Sequence, residues 1–310
     1  MCDQTERTTF FHRNFLLLLI ILSIFISACQ TNQLGDTHLR EKDGMVMVFV
    51  PGGEFQMGST KEMVFAAKDL CNESYGLDGN PAVCTYQSFA DEYPDHSVTL
   101  SDFWLDQTEV SNGQYRMCVE AGACQPPLEL GSFSRENYFD AAEFNQHPVI
   151  NLTQAMAADY CSWIGGQLPT EAEWAYAARG PEGFIFPWGN DFDPARLNYC
   201  DASCAGISDP DYDDGYPDTA PVGSFPDGAS WVGALDMAGN VREWVSDYYG
   251  YFSLEAEVDP QGPEEGDAKV SRGGSWYDSI FNLRSNNRGS NALDYYRHKL
   301  GFRCVMDSSG

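Results

Sequence analysis

Histidine is scarce in this sequence, which has only five among 310 residues. His96, His147 and His298 lie far apart, so no spacing supports a three-ligand iron site. The sequence also has no H-E-x-x-H motif, no G-x-S-x-G motif and no P-loop. These absences remove the usual sequence support for zinc hydrolysis, serine hydrolysis and nucleotide phosphate binding. We expect each histidine to have a structural role.

Basic residues are also few. Eighteen lysines and arginines stand against 46 aspartates and glutamates, which gives a formal net charge of −28. A surface this acidic repels the phosphates of nucleic acids and anionic membrane lipids, so no nucleic-acid partner is expected. The acidic excess is interpreted as a source of solubility, with acid-driven partner binding as the alternative.

No apolar run is long enough to span a bilayer. The run FLLLLIILSIFISA, residues 15–28, is shorter than the roughly 20 residues that a spanning helix needs. It ends in two small residues ahead of Cys29, which resembles a bacterial lipobox. We predict a signal peptide at 1–28, a lipidated Cys29 that anchors an extracytoplasmic protein to a membrane, at the cell surface or in the periplasm, and a tether at 29–44. A plain cleaved signal or an anchor helix is the alternative.

Eight of the ten cysteines remain once Cys2 and the predicted lipid site are set aside. An even number of cysteines in an oxidising compartment is typical of disulfides. Three pairs are close in sequence: Cys71 with Cys84, Cys118 with Cys124, and Cys200 with Cys204. Cys161 and Cys304 remain as a distant couple. Zinc is the alternative, although paired C-x-x-C units are missing.

No internal repeat and no low-complexity linker divides the sequence. SVTLSDFWLDQTEV, residues 97–110, alternates like a half-buried strand. Three short helices are predicted, of which two begin at capping boxes and one ends at Gly165. The capping boxes pair Ser111 with Gln114 and Thr170 with Glu173. We therefore expect one α+β domain with much irregular structure.

Nine segments along the chain match the motifs of one family. In order, they are MVFVPGGEFQMGS, FWLDQTEVSNGQY, HPVINLTQAMAADYCSW, LPTEAEWAYAARG, FPWGN, TAPVGSFP, DMAGNVREWVSD, RGGSW and LGFRC. Residues 45–306 thereby resemble the formylglycine-generating enzyme family, also called the sulfatase-modifying factor domain. The resemblance implies a single α+β domain that is related to C-type-lectin-like folds and often holds calcium. It also implies the long-range disulfide between Cys161 and Cys304.

The resemblance implies two structural calcium sites, and calcium prefers oxygen ligands of the kind these segments offer. The first set is Asn198, the carbonyl of Tyr199, Asp214 and the carbonyl of Tyr216. The second set is Gly239, Asn240, Val241 and Glu243. Arg242 stands within the second set where the family usually has an aromatic residue. Solvated acidic loops without calcium are the alternative.

The family's oxidase reaction uses two cysteines shortly after the GGS motif, which bind copper and activate oxygen. Thiolates are required because they hold Cu(I) and exchange with a substrate thiol. The first thiol position is Asp278 here, the second falls within 282–284, and no cysteine occurs between Cys204 and Cys304. We therefore expect no copper and no formylglycine formation, and the catalytic residues are unknown.

Residues 269–304 carry seven lysines and arginines against two aspartates, in an otherwise acidic chain. This segment borders the substrate cleft in the family. The residues expected at the cleft are Ser275, Trp276, Asp278, Arg284 and Arg288. Paired arginine N–H donors bind carboxylates and sulfates, so we predict binding of an extracytoplasmic protein, a peptide or a small anionic ligand.

Two alternatives to this prediction stay open. The arginines of the segment could instead neutralise the acidic protein through internal ion pairs. The chain could also be a thiol-free oxidoreductase or protein-modifying enzyme of the same superfamily, since fold alone does not decide function.

Overall fold

The computed structural model describes residues 32–76, 84–204 and 209–308. The predicted signal peptide and Cys29 lie outside these residues, so lipidation stays a prediction. Residues 33–310 form one unit, to which the description below applies. Within the described ranges, no helix is both long enough and apolar enough to cross a membrane.

Four α-helices form in the described part of the chain, and they include the three that the sequence predicts. The helices are α1 (Lys61–Gly76), α2 (Asn112–Glu120), α3 (Gln154–Ile164) and α4 (Glu171–Arg179). Both capping boxes are confirmed. The hydroxyls of Ser111 and Thr170 accept the backbone N–H three residues on, and their own backbone N–H groups donate to the side chains of Gln114 and Glu173. Gly165 ends α3 with a φ of 90°, a conformation that glycine adopts at little steric cost.

Eleven strands in the described ranges form three sheets. The strands are β1 (Thr37–Leu39), β2 (Val46–Val50), β3 (Gly53–Met57), β4 (His96–Leu100), β5 (Phe103–Asp106), β6 (Arg242–Tyr248), β7 (Glu257–Val258), β8 (Ala268–Arg272), β9 (Arg288–Ala292), β10 (Leu300–Phe302) and β11 (Val305–Asp307). The sheet orders are β1-β2-β5-β11, β10-β6-β8-β9 and β3-β4-β7. Only the pairs β10–β6 and β4–β7 among them are parallel. Short helices with mostly antiparallel sheets confirm the α+β class.

Helix α4 is buried along nearly its whole length. Its alanines and Trp174 pack in one apolar cluster with residues of β2, β3, β4 and β8, and small side chains let these elements approach closely. A second cluster packs Tyr115 of α2 and Tyr160 of α3 against Phe302. Because α4 is buried from its first residue, the carboxylate of Glu171 needs cationic partners. Those partners are arginines of the candidate site.

All eight cysteines of the described ranges form disulfides, as the sequence predicts. The short-range bridges are Cys71–Cys84, Cys118–Cys124 and Cys200–Cys204. The long-range bridge joins Cys161 in α3 to Cys304 between β10 and β11, with their Cα atoms 5.6 Å apart. The zinc alternative fails, because no described cysteine is left as a thiolate ligand.

The domain begins earlier than the sequence indicated. Residues Thr37–Leu39 were assigned to the tether, but they form β1 and pair with β2. Arg40 follows and is buried, with its guanidinium bound by the carboxylates of Asp43 and Asp106. Polar composition predicts a tether here, whereas the charge of Arg40 has buried carboxylate partners.

Two further elements differ from the sequence-based expectation. Residues 97–110 contain two strands in different sheets, because β4 ends at Leu100 and β5 begins at Phe103. The break lies at Ser101, whose backbone N–H and hydroxyl are both bound by Asp259. Helix α1 was not predicted, although Thr60 provides a helix-start signal by accepting the backbone N–H of Met63.

Candidate functional site

A glycine pair after β8 shapes the loop of the candidate site. Gly273 and Gly274 have φ values of 91° and 71°. Residues with a Cβ rarely adopt this conformation. A Cβ on Gly274 would also lie only 2.8 Å from the backbone oxygen of Asn282. The turn therefore requires glycine, and it places Asp278 on the wall of a cleft.

Ser275 and Trp276 lie behind this wall and not in the cleft itself. Ser275 is fully buried and donates its hydroxyl to Asp278 at 2.7 Å. Trp276 is also buried, donates its indole N–H to the carbonyl of His298 at 3.3 Å, and packs against Phe133. Both residues position the loop, which differs from the expectation that they face a ligand.

Asp278 is held as an ionised carboxylate. Its Oδ2 also accepts a hydrogen bond from Arg242 Nε at 3.1 Å, and its Oδ1 accepts one from Lys299 Nζ at 3.2 Å. Burial acts to raise the pKa of Asp278, but the positive charges of Arg242 and Lys299 outweigh it and hold that pKa below its ordinary value. At neutral pH this side chain is a hydrogen-bond acceptor.

The cleft beside Asp278 has a volume of about 480 Å³ and a positive lining. Its charged side chains are Arg242, Asp278, Arg288, Arg297 and Lys299. Asp278 offsets one of the four cations, and a buried glutamate offsets Arg288. Arg297 is exposed, and Arg242 Nη1 is a buried donor without a hydrogen-bond partner. A cleft with a positive lining and an exposed arginine favours an anionic ligand.

Four of the arginines in the predicted basic segment form internal ion pairs, and the pair of Arg303 with Glu243 is described below. Arg288 binds both carboxylate oxygens of the buried Glu171, at 2.6 and 2.7 Å, and Arg272 lies 3.4 Å from the same carboxylate. Arg284 binds both oxygens of the buried Glu92, at 2.6 and 2.9 Å. Arg288 still borders the cleft, whereas Arg284 does not and instead borders an apolar cavity. Arg284 was expected at the cleft but lies outside it, because its guanidinium forms an ion pair with Glu92.

The first predicted calcium set contains oxygens that suit a cation. Asn198 Oδ1 and Asp214 Oδ2 are buried and have no hydrogen-bond partner. The carbonyls of Tyr199 and Tyr216 each accept a hydrogen bond and keep a second lone pair. Burial raises the pKa of Asp214 to about 7, and the charge of Asp201 adds to the rise. These donors fit calcium, which binds carboxylate, amide and carbonyl oxygens.

Asp201 is a neighbour of this set that the sequence analysis missed. Carboxylate oxygens of Asp201, Asp213 and Asp214 lie within 4.8 Å of one another. Asp201 is fully buried and directly follows Cys200 of a disulfide, which fixes its backbone. An acidic residue directly after a cysteine predicted to form a disulfide was the signal available in the sequence.

The second predicted calcium set stays a prediction, although its carboxylate already has a cationic partner. Its carboxylate, Glu243, accepts two hydrogen bonds from Arg303 at 2.7 Å and one from Trp174 at 2.8 Å. Arg303 and Glu243 are both fully buried. Arg303 therefore already supplies the positive charge that calcium would bring to this carboxylate. The unpartnered carboxylate nearby is Glu109, whose two oxygens have no hydrogen-bond partner. Burial and the adjacent Asp236 raise the pKa of Glu109 well above its ordinary value.

The remaining members of the second set are backbone and amide groups. Gly239 has a φ of 81° and Val241 is fully buried. Asn240 Oδ1 accepts hydrogen bonds from Asn198 Nδ2 at 3.1 Å and from the backbone N–H of Ala220 at 2.9 Å. Asn240 therefore joins the two predicted sets through Asn198, but its amide oxygen is already in use.

Nearly the whole described chain matches one family. The model of the sulfatase-modifying factor enzyme 1-like domain matches residues 34–308. The chain belongs to this family. A formylglycine-generating enzyme of Streptomyces coelicolor is 33% identical, over 84% of this chain and 89% of its own length. PvdO from Pseudomonas aeruginosa has a similar structure, with a TM-score of 0.65 and 25% identity over 89% of this chain and all of that one.

Other sulfatase-modifying factor relatives differ in name and length. The inactive C-alpha-formylglycine-generating enzyme 2 of Mus musculus is 29% identical, over 93% of this chain and 92% of its own length. The serine/threonine-protein kinase Pkn1 of Chlamydia trachomatis is 32% identical over 84% of this chain. This chain spans only 38% of the length of that kinase.

The cleft of this sulfatase-modifying factor domain has no free thiol among its described residues. Asp278 occupies the first thiol position, and Asn282 of the second region borders the same cleft. The disulfide Cys71–Cys84 lines the opposite, more apolar part with Phe281. The donors present are carboxylate, guanidinium, ammonium and amide groups, which do not suit Cu(I).

Arg242 and Lys299 are the cleft residues whose role the sequence analysis missed. Arg242 was noted only as a departure from the family, and Lys299 only as part of a basic segment. Arg242 also donates to Asn287 at 3.0 Å, which joins β6 to the far side of the cleft. A basic residue that replaces a family aromatic, combined with an acid that replaces a family cysteine, was the signal for this pair.

Proposed function

We propose that this protein is an extracytoplasmic lipoprotein of the sulfatase-modifying factor family that binds a peptide or small anionic ligand in its cleft and does not form formylglycine. The observation that carries this proposal is the ion cluster at Asp278. A carboxylate held by Arg242 and Lys299 accepts hydrogen bonds. It cannot hold Cu(I) as a thiolate does, and it cannot exchange with a substrate thiol.

The two departures from the family compensate each other. A buried carboxylate without a partner would be costly, and Arg242 removes this cost at Asp278 by a hydrogen bond of 3.1 Å. Such pairing favours a site that has changed to bind a ligand over an oxidase site that has only lost its thiols. The family also includes a mouse relative whose name describes it as inactive.

Charge and volume support an anionic ligand. After the offsets by Asp278 and Glu171, the cleft keeps the equivalent of two positive charges in a protein of net charge −28. Its volume of about 480 Å³ lies within the range of roughly 300–1,000 Å³ that is usual for small-ligand sites. The exposed Arg297 would bind a carboxylate or sulfate.

Localisation and metal content complete the proposal. Lipidation at Cys29 would tether the domain to a membrane, and the disulfides suit an oxidising compartment. One structural calcium would bind through Asn198, Asp214 and the carbonyls of Tyr199 and Tyr216. Copper is not expected, because the cleft has no thiolate donor among its described residues.

A calorimetric titration tests the proposed binding. The probes are inorganic sulfate and an acetylated tripeptide with a free carboxylate, and we expect wild type to bind at least one of them. Arg297→Gln should weaken binding about fivefold to tenfold, because it removes a charge-assisted hydrogen bond of about 1–1.5 kcal/mol. The matched control is Arg196→Gln, since Arg196 is a partly exposed arginine outside the cleft. Absence of binding, or equal losses in both variants, would contradict the proposal.

An aldehyde assay tests the loss of the family's reaction. Wild type incubated with a cysteine-containing sulfatase-type peptide, copper and oxygen should yield no aldehyde. Asp278→Cys alone should not restore the reaction, because the second thiol is also missing. Aldehyde formation by the unmodified protein would overturn the binding proposal and favour a thiol-free oxidoreductase.

A further inference from the structure

A second cavity, of about 490 Å³, shares only Arg288 with the cleft. The end of β3 and the start of β4 border it on one side, and the first residues of α4 border it on another. Asp247 and Tyr248 at the end of β6, together with residues between 250 and 263, form the rest of its wall. No role in the proposed anion binding uses this cavity.

A buried side chain presents a hydrogen-bond acceptor to this cavity. Asp247 is 5% exposed, and its Oδ2 accepts the backbone N–H of Glu171 at 2.8 Å and the hydroxyl of Ser246 at 3.0 Å. Its Oδ1 accepts none of the hydrogen bonds found among the described residues, and it lies beside Gly262 of the cavity wall. This oxygen can therefore accept a hydrogen bond from a ligand.

A second carboxylate, Glu257, also borders this cavity. It is 40% exposed, and its Oε2 lies 3.6 Å from His96 Nε2. Carboxylate oxygens only accept hydrogen bonds, so a ligand that binds to Asp247 Oδ1 and Glu257 must bring N–H donors.

The cavity also has an excess of negative charge. Glu171 is offset by Arg288, at 2.6 and 2.7 Å, but Asp247 and Glu257 have no comparable partner. Lys269 lies near Asp247, yet its ammonium donates to the carbonyl of Ser246 at 2.7 Å. Burial raises the pKa of Asp247 to about 7, and the charge of Glu171 adds to the rise. A carboxyl group in this state gains from a cation.

Apolar groups line the remainder. Phe252 is half-buried and packs against the His96 ring with centroids 5.2 Å apart. Tyr251 and Val258 are 85% and 73% exposed at the same cavity. We propose that this cavity binds an alkylammonium or guanidinium group, with its N–H donors on Asp247 and Glu257 and its alkyl stem against Phe252. Such a group is present in lysine and arginine side chains and in free polyamines.

Calorimetry with four probes tests this inference at a pH where Asp247 is ionised. Cadaverine and agmatine represent free amines, and the acetylated methylamides of lysine and arginine represent protein side chains. We expect wild type to bind at least one of them, and the preferred pair of probes identifies the source. Asp247→Asn keeps an acceptor for the Glu171 N–H and turns a donor toward the cavity. It should weaken binding at least about tenfold, the value of one charge-assisted hydrogen bond.

Two further variants complete the test. Glu257→Gln removes the negative charge of a side chain that is 40% exposed and should weaken binding about threefold. Glu265→Gln removes the same charge from an exposed position outside the cavity and should leave the affinity within about twofold. If Asp247→Asn does not fold by circular dichroism, the contrast between Glu257→Gln and Glu265→Gln decides. Failure of all four probes to bind, or equal losses in the charge variants, would overturn the inference.

Discussion

His147 illustrates how single residues in this protein depend on their partners. It is 6% exposed and its Nδ1 lies 3.2 Å from the hydroxyl of Thr219. Burial lowers the pKa of His147 to about 4, and the charge of Arg135 contributes. A histidine in this position is neutral and structural, in agreement with the expectation from its isolation in the sequence.

The low pKa of His147 predicts a specific loss of stability in acid. An unfolded histidine has a pKa of about 6.5. The folded state resists protonation, so the stabilising effect is complete above about pH 6.5 and is lost as the pH falls toward the folded pKa. His147→Gln should therefore show a shallower fall of unfolding free energy between these values than wild type, measured by urea unfolding. His38→Gln, at an exposed site, is the control and should keep the wild-type slope.

At the scale of elements, α4 connects the core to the two cavities. Glu171 at its start binds Arg288, which borders both cavities. Arg272 lies 3.4 Å from the same carboxylate. The backbone N–H of Glu171 donates to Asp247, which borders the second cavity. Trp174, one turn further, donates to Glu243. The position of this single helix start therefore affects both proposed binding sites.

The capping box of α4 can be tested directly. Thr170→Ala should lower the unfolding free energy by about 1 kcal/mol, because it removes the hydroxyl that accepts the Glu173 N–H at 3.1 Å. Thr170→Ser retains this hydroxyl and should lose much less. Chemical denaturation of the three proteins measures the difference. Equal losses for alanine and serine would show that packing of the threonine methyl group dominates instead.

At the scale of the whole molecule, the long-range disulfide joins distant parts of the chain. Cys161 and Cys304 are separated by 143 residues. Replacement of both by alanine should cost about 5 kcal/mol in the chain-entropy description, compared with about 2 kcal/mol for the short Cys200–Cys204 loop. Thermal and urea unfolding of the two double variants measures the contrast. A larger loss from the short bridge would refute this explanation and point to a local role for that loop.

Calcium is the second contribution expected at this scale. A ligand that binds only the folded state stabilises it by about 2.7 kcal/mol at a concentration one hundred times its dissociation constant. Chelation should therefore lower the Tm of wild type, and Asp214→Ala should abolish this sensitivity. Asp211→Ala, an exposed acid of the same loop, should retain it. Identical melting of wild type with chelator and with excess calcium would exclude the site.

Several features of this protein follow from its sequence alone. Helix ends at Ser111, Gly165 and Thr170 depend on hydrogen bonds between residues close in sequence, so local patterns predict them. The α+β class and the disulfide pairs also follow, because ordered family motifs and cysteine spacing carry that information. The absence of any cysteine between Cys204 and Cys304 needs no structure either, since it is read directly from the sequence.

Only the tertiary structure decided which charges are free. Arg284 and Arg297 belong to one basic segment, but Glu92, far away in sequence, binds Arg284 and leaves Arg297 exposed. In the same way Arg303 binds the carboxylate of Glu243, which belongs to a predicted calcium set. An ion pair depends on distances across the fold, and a charge within a sequence segment does not specify its partner. For that reason the cleft, its cations and the second cavity could be identified only from the tertiary structure.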